Sequence, residues 1–350
     1  MDRIDFRSDT VTWPTAEMRA AMASAVVGDD VYGEDPTVKQ LEAMAAEKFG
    51  MEAGLLVSSG TMGNLVAIMS HAGRGEEAIV GEDTHSYINE AGGMAVLGSV
   101  TPRPRPTDEM GRMALADIEA AIRADDLHYP RSRLILLENS YGGRGGAAIP
   151  LDYFAAVSRL AQRHQLKIHL DGARLFNATS ALGVSPASLV SHVDSVTFCL
   201  SKGLCAPVGS LLCGSSEFIG RARRARKMLG GGMRQAGILA AAGIVALESM
   251  VERLAEDHVR AKRLALGLAQ IPAIKVQPEA VMTNIVFFGI DEHFPLTAEE
   301  VARRMRESAN VWVGADKAKR FRAVTHYWID DEAVDCFLDA MREALRYYDA

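Results

Sequence analysis

Lys167-Ile-His-Leu-Asp171-Gly-Ala-Arg174 and, further on, Val196-Thr-Phe-Cys-Leu-Ser-Lys202-Gly203 decide how this chain of 350 residues folds. Each stretch is a short apolar run that meets a charged residue and then glycine. Runs apolar on both faces belong to strands covered on both sides, the mark of a parallel sheet. Similar runs stand at 54–57, 78–80, 133–137 and 210–213. Helical periodicity lies between them, at 15–27, at 37–49 behind Asp35-Pro36, and at 151–164. This alternation predicts an α/β domain around a mostly parallel central sheet. Pro102-Arg-Pro104-Arg-Pro106 reads as a short exposed connection.

Residues 235–269 read as one long Ala-rich helix without an internal proline. Strand candidates at 284–288 and 322–327 and amphipathic helices at 297–309 and 331–348 follow. They predict a smaller α+β C-terminal domain, with a large domain over 1–247 and the small one over 248–350.

Composition narrows the function classes. The net charge is −7 and the pI near 5.8, so no strong field would recruit nucleic acid or an anionic membrane. The basic run Arg221 to Lys227 has helical spacing and no interleaved aromatic residue, which fits a solvated or intersubunit helix face. The four cysteines form no Cys-x-x-Cys pair or Cys/His cluster, so neither a disulfide framework nor a metal site is expected. Met1-Asp-Arg-Ile-Asp5 lacks a signal-peptide core. The longest apolar run, 237–247, is about half the roughly 20 residues of a membrane span. A soluble cytoplasmic enzyme is expected.

In open α/β sheets, ligands gather at the carboxyl ends of the strands. There the chain places Asp171, Lys202 and a small-residue turn, Ser58-Ser-Gly60-Thr61-Met-Gly-Asn64. Such a turn opening a helix suits an anion. Pyridoxal phosphate (PLP) uses all three features. It needs a lysine for its Schiff base, an acid that keeps the pyridine nitrogen protonated, and a cradle for its phosphate. Taken singly, the residues also fit a buried Asp–Lys ion pair and an ordinary capped helix start.

Six motifs in order carry a resemblance over nearly the whole chain. They are Ile4-Asp-Phe-Arg-Ser8-Asp-Thr-Val-Thr12, Gly28-Asp-Asp-Val-Tyr32-Gly-Glu-Asp-Pro-Thr37, Ser59-Gly-Thr-Met-Gly-Asn64, His169-Leu-Asp-Gly-Ala-Arg-Leu-Phe-Asn177, Leu200-Ser-Lys-Gly-Leu204 and Gly230-Gly-Gly-Met-Arg-Gln235. With Val324-Thr-His326 near the end, the chain resembles the low-specificity L-threonine and L-allo-threonine aldolases, PLP enzymes of the aspartate-aminotransferase-like fold type I. The resemblance implies retro-aldol cleavage of β-hydroxy-α-amino acids, phenylserine included, to glycine and an aldehyde.

It also implies roles. Lys202 would carry the Schiff base, Asp171 would face the pyridine nitrogen, and Arg174 would reach the cofactor hydroxyl side or the substrate carboxylate. Gly60 and Thr61 would cradle the phosphate, with Arg234 from a neighbouring subunit. His85 would stack on the pyridine face, and Ser8 and Arg322 would clamp the substrate carboxylate. His128 would approach the β-hydroxyl, and Tyr32 would line the site from the neighbouring chain of a homotetramer. His85 and His128 are both candidate bases. His326, beside Arg322, reads as structural. One departure stands out: the family usually has Leu-Glu-Asn-Thr-His-Asn-Gly where this chain has Leu137-Glu-Asn-Ser-Tyr141-Gly-Gly143. That change bears on substrate preference. A β-lyase or aminotransferase would use the same Asp171 and Lys202.

Overall fold

Seven strands form one sheet in the order Ala53–Val57, Ser210–Gly214, Ser195–Cys199, Lys167–Asp171, Arg131–Glu138, Glu76–Gly81, Thr101–Arg105. The last five pair in parallel, and Ser210–Gly214 runs antiparallel to both of its neighbours. The expected mostly parallel sheet is therefore present. The strand Ser195–Cys199 is buried at every position, as its unbroken apolar run requires.

The computed structural model describes residues 3–346, which fall into two units. Trp13–Val251 is one; the other is drawn from Met1–Thr12 and Glu252–Ala350. The first unit holds the seven-stranded sheet. Its register sets Glu138 beside Asp171, and Asp171 beside Thr197, at one edge of the sheet. Helix Gly60–His71 starts at that edge, capped by Ser59, whose Oγ accepts from the Met62 N–H at 3.1 Å. The helix lies close on the sheet: a Cβ at Gly63 would come 2.6 Å from Thr197 Cγ2.

Two sequence expectations change here. Residues 101–105 are no connection but the edge strand, paired in parallel with Glu76–Gly81. Alternate prolines suit an edge, because the N–H groups they lack lie on one side of the strand, where no neighbour needs them. The helix expected over 235–269 is broken as well. Gly237–Val245 leads into a π-turn at Ala246–Met250, and a separate helix spans Leu254–Leu268. Ser249 Oγ donates to the Val245 carbonyl at 2.9 Å, a back-bond that bends helices and competes with their ladder.

The second unit has a four-stranded antiparallel sheet, ordered Gly314–Lys317, Arg320–Val324, Ile285–Ile290, Ile274–Lys275. Helices Leu254–Leu268, Ala298–Ala309 and Asp331–Leu345 accompany it. The predicted end of the last helix at position 348 lies outside the described residues. Phe288, Phe321 and Phe337 form this core together with Phe6. Residues 4 and 5 pair in parallel with Val311–Trp312. The described residues up to Thr12 thus group with the smaller unit, and its other edge falls at Glu252 where 248 was expected. Among the described residues, no helix is long and apolar enough to cross a membrane.

Candidate active site

Asp171 ends its strand 96 % buried from solvent's view, at 4 % exposure, yet its carboxylate is well provided for. Asn64 Nδ2 donates to Oδ2 at 2.7 Å and the Ala173 N–H to Oδ1 at 3.0 Å. Two charge-assisted bonds of this kind offset the loss of hydration. The same Asn64 nitrogen donates to Glu90 Oε1 at 2.9 Å, and Glu90 Oε1 meets His85 Nδ1 at 2.9 Å. One amide thus joins Asp171 to the His85 imidazole through Glu90. Ligand atoms of His85, Glu90 and Asp171 lie within 4.8 Å of one another. These hydrogen bonds account for the cluster without an ion.

Electrostatics follow from that closeness. The hydrogen bond to Glu90 raises the His85 imidazole above its ordinary value, against the effect of burial and with help from the Asp171 charge. Burial raises the Glu90 carboxyl, and Asp171 adds to it. Glu138, beside Asp171 in the sheet, is pushed up to about 7 by burial and then by the Asp171 charge. Its two oxygens accept the His85 N–H and the Gly142 N–H, each at 2.8 Å. Glu138 therefore fixes the backbone that carries His85.

Lys202 follows the strand Ser195–Cys199 and lines a small cleft with Arg174, Asn177, Phe198 and Cys199. Arg174 begins helix Leu175–Leu182, and a Cβ at Gly142 would stand 3.7 Å from its Nη1. Lys202 also acts on His85, whose charge it disfavours. Gly60 and Thr61 are the first two residues of their helix, where backbone N–H groups have no helical partner. A Cβ at Gly60 would come 2.9 Å from Cys199 Sγ, so only glycine lets the turn sit this close to the Lys202 strand.

Other expected residues stand apart from this group. Arg234 pairs with Asp29 at 2.9 Å and lies 6.0 Å from the Tyr32 ring centroid; Tyr32 is 75 % exposed. The two thus share one exposed patch with Asp29. His128 is also 75 % exposed, its Nδ1 2.7 Å from Asp126 Oδ1, and no hydrogen bond joins it to Asp171, His85 or Glu90. In the smaller unit, Arg322 donates to the carbonyl of Arg7 at 3.2 Å, next to Ser8. Ser8 caps the short helix Asp9–Val11, its Oγ accepting from the Thr10 N–H. His326 is buried, with Nε2 2.9 Å from the Asp5 carbonyl and Nδ1 accepting from the Trp328 N–H, a structural tie as expected. The basic run is bound up in ion pairs, with Arg226 against Asp30 at 2.7 Å and Arg223 against Glu42 at 2.9 Å.

The sequence reading left Asn64, Glu90 and Glu138 without site roles. Glu138 carried a usable signal, because it ends an apolar run just as Asp171 does. Asn64 lies within a quoted motif. Glu90, in Ile88-Asn-Glu90-Ala91, carried none.

Comparison with known proteins agrees with this geometry. Residues 5–291 match the beta-eliminating lyase family. The probable low-specificity L-threonine aldolase 2 of Arabidopsis thaliana is 47 % identical, over 97 % of this chain and 96 % of its own. In fold, the chain is similar to the threonine aldolase of Leishmania major (TM-score 0.82, 20 % identity, 97 % and 99 % covered). It is also similar to the serine palmitoyltransferase of Sphingomonas wittichii (TM-score 0.76, 18 % identity, 98 % and 87 % covered). The architecture is that of PLP fold type I. An α/β sheet that brings a carboxylate and a lysine to adjacent strand ends, in a chain nearly half identical to such a relative throughout, makes this protein a member of the beta-eliminating lyase family and, within it, of the low-specificity L-threonine aldolases.

Proposed function

We propose that the chain is a PLP-dependent aldehyde-lyase that cleaves L-threonine, L-allo-threonine and related β-hydroxy-α-amino acids to glycine and an aldehyde. The observation that carries this reading is the hydrogen-bonded set Asp171–Asn64–Glu90–His85, its first three members buried and His85 open to solvent, with Lys202 just past the end of the adjoining strand. The residues fit the cofactor. Asp171 is an acceptor held by two donors, and Gly60 and Thr61 offer unpaired N–H groups. A lysine, Lys202, lies in the turn just past the end of the neighbouring strand. Bound here, PLP supplies a sink for the electron pair released when the Cα–Cβ bond breaks.

The chain's residues do the rest. Lys202 is the attachment point, Asp171 keeps the ring nitrogen protonated, and Arg174 faces the cofactor hydroxyl or the substrate carboxylate. Gly60, Thr61 and Arg234 hold the phosphate. Ser8 and Arg322 grip the α-carboxylate, a role that suits a guanidinium because it binds carboxylates in bidentate fashion. That grip would orient the substrate and so select which of its bonds breaks. A base removes the β-hydroxyl proton, the aldehyde departs, and a proton returned to Cα yields glycine. The hold of Glu90 on His85 supports His85 as that base over the exposed His128. The exposed pair Arg234 and Tyr32 supports a homotetramer with sites shared between chains. The free state of all four cysteines suits a reducing cytoplasm.

The test is to load the protein with PLP and supply L-threonine, L-allo-threonine and L-phenylserine. Glycine and the matching aldehyde should appear in equal amounts, and Lys202→Ala should abolish both. A keto acid or ammonia in their place would overturn the reaction class.

A further inference from the structure

Behind Asp171 a file of polar side chains runs between the sheet and helix Gly60–His71. His71 Nε2 lies 2.7 Å from Ser195 Oγ, and Ser195 Oγ lies 2.9 Å from His169 Nδ1. His169 Nε2 lies 3.2 Å from Asn64 Oδ1, with Thr197 Oγ1 a more distant neighbour at 3.5 Å. Ser195, His169 and Asn64 are at most 1 % exposed. His71, half-buried at the end of its helix, stacks on Phe218 with centroids 4.3 Å apart. Of these residues only Asn64 figures in the site described above, as the donor to Asp171 and Glu90.

The direction of each hydrogen bond follows from the inner end. The donor end of the Asn64 amide faces two carboxylate oxygens, Glu90 Oε1 and Asp171 Oδ2. An ionised carboxylate only accepts, so the nitrogen is there and the amide oxygen faces His169. An amide oxygen also only accepts, so His169 Nε2 carries a hydrogen. Burial keeps both imidazoles neutral, each pushed down to about 3, with the Lys167 and Arg221 charges adding to the effect on His71. A neutral His169 with hydrogen on Nε2 has a bare Nδ1, which takes the Ser195 hydroxyl hydrogen. Ser195 then accepts from His71 Nε2–H. Every donor points the same way, toward Asp171.

We propose that His71, Ser195, His169 and Asn64 are positioning residues: a one-way hydrogen-bond chain that presents both amide hydrogens of Asn64 to Asp171 and Glu90. The chain holds Asp171 as an oriented anion where Glu90 and Glu138 crowd it with like charge, and through Glu90 it sets the His85 ring. Polarised chains strengthen each member, so the outer links matter to the inner one. The inference rests on Asp171 being the partner of the pyridine nitrogen.

Two experiments on the PLP-loaded protein test it. In protein labelled with 15N-histidine, two-bond 1H–15N spectra should report the Nε2–H tautomer for both His71 and His169. A hydrogen on His169 Nδ1 would overturn the chain. Ser195→Ala, which touches no reacting atom, should weaken PLP affinity about tenfold and lower kcat with KM nearly constant, and Ser195→Thr should restore both. A Ser195→Ala protein with lowered thermal stability but parental PLP affinity and kcat would reduce the file to packing. Asp171→Asn separates the two layers of argument. If it too binds PLP like the parent, the assignment of Asp171 fails and takes the role of the chain with it. If Asp171→Asn is crippled while Ser195→Ala is not, the chain alone fails.

Discussion

Tyr141 donates its phenolic hydrogen to Asp83 Oδ1 across 2.7 Å, and so faces a carboxylate two residues ahead of His85. Thr107 Oγ1 donates to the same oxygen at 2.6 Å, and Arg144 reaches Oδ2 at 2.6 Å. Partial burial pushes the Asp83 carboxyl up, but the bonds from Thr107 and Tyr141 and the Arg144 charge hold it below the usual carboxylate range. Burial drives the phenol far upward, so it stays a donor. The ring lies against Gly111, whose φ of +88° and missing Cβ leave the space it fills.

Tyr141, which replaces the family's usual histidine, is thus committed to the Asp83 network. Tyr141→Phe removes one of several donors and should cost about 1 kcal/mol of stability, read as a shift in denaturant midpoint. The ratio of rates on L-threonine and L-allo-threonine should stay at the parental value. A changed ratio would mean that the tyrosine reaches the substrate.

How much of this was legible in the sequence depends on distance along the chain. Asp171 and Lys202 could be found because strand ends are local signals, and the strand at 167–171 is long enough to show its apolar run. Glu90 could not, because its importance arises only when Asn64 folds against it and against Asp171, which is far off in sequence. The strand Thr101–Arg105 was hidden by prolines, which signal a turn locally but are acceptable at a sheet edge. Residues 4 and 5 were obscure for a similar reason: a two-residue strand has no period, and its partner is Val311–Trp312. The motifs Ser59–Asn64 and His169–Asn177 identified the family while concealing that Asn64 and His169 touch.

Glu138 makes stability depend on pH with a definite sign. Its folded pKa, about 7, lies above the ordinary glutamate value of 4.5. The folded state therefore holds the proton more tightly, so this group favours folding most at low pH and progressively less as pH rises from about 4.5 through 7. Glu138→Gln should flatten that fall. Denaturation midpoints measured between about pH 5 and 8 should fall less steeply in the variant, so that the gap between parent and variant narrows as pH rises. Gln has one acceptor oxygen for the His85 and Gly142 N–H groups, so the variant should also be less stable at the acid end, by about 1–3 kcal/mol. Parallel pH trends in parent and variant would show that Glu138 is ionised throughout.

Arg234 and Tyr32, exposed and side by side, have a consequence that mixing reveals. If Arg234 serves the site that contains another chain's Lys202, then Lys202→Ala and Arg234→Ala are complementary lesions. Each variant alone should be nearly inactive. Dissociated, mixed in equal amounts and reassembled, they should recover about a quarter of parental activity, because half the symmetric pairs are mixed and each mixed pair regains one intact site of two. No recovery, with mixed oligomers demonstrated by native mass spectrometry, would return Arg234 to its own chain's site.

The two candidate bases differ in what surrounds them, and this difference can be measured. His85 Nδ1 is bound to a buried carboxylate, which orients the ring and raises its pKa; His128 stands in solvent with Asp126. A base acts when neutral, so the acid limb of kcat/KM should report the raised His85 value. Glu90→Gln removes the hydrogen-bonded charge responsible, so His85 loses its proton more readily and the limb should move to lower pH. His85→Ala should lower kcat by about 10²–10⁴-fold, and His128→Ala by less than about tenfold. A limb unmoved by Glu90→Gln but abolished by His128→Ala would transfer the role to His128, and would require a neighbouring chain or a moved loop to bring that exposed imidazole to the substrate.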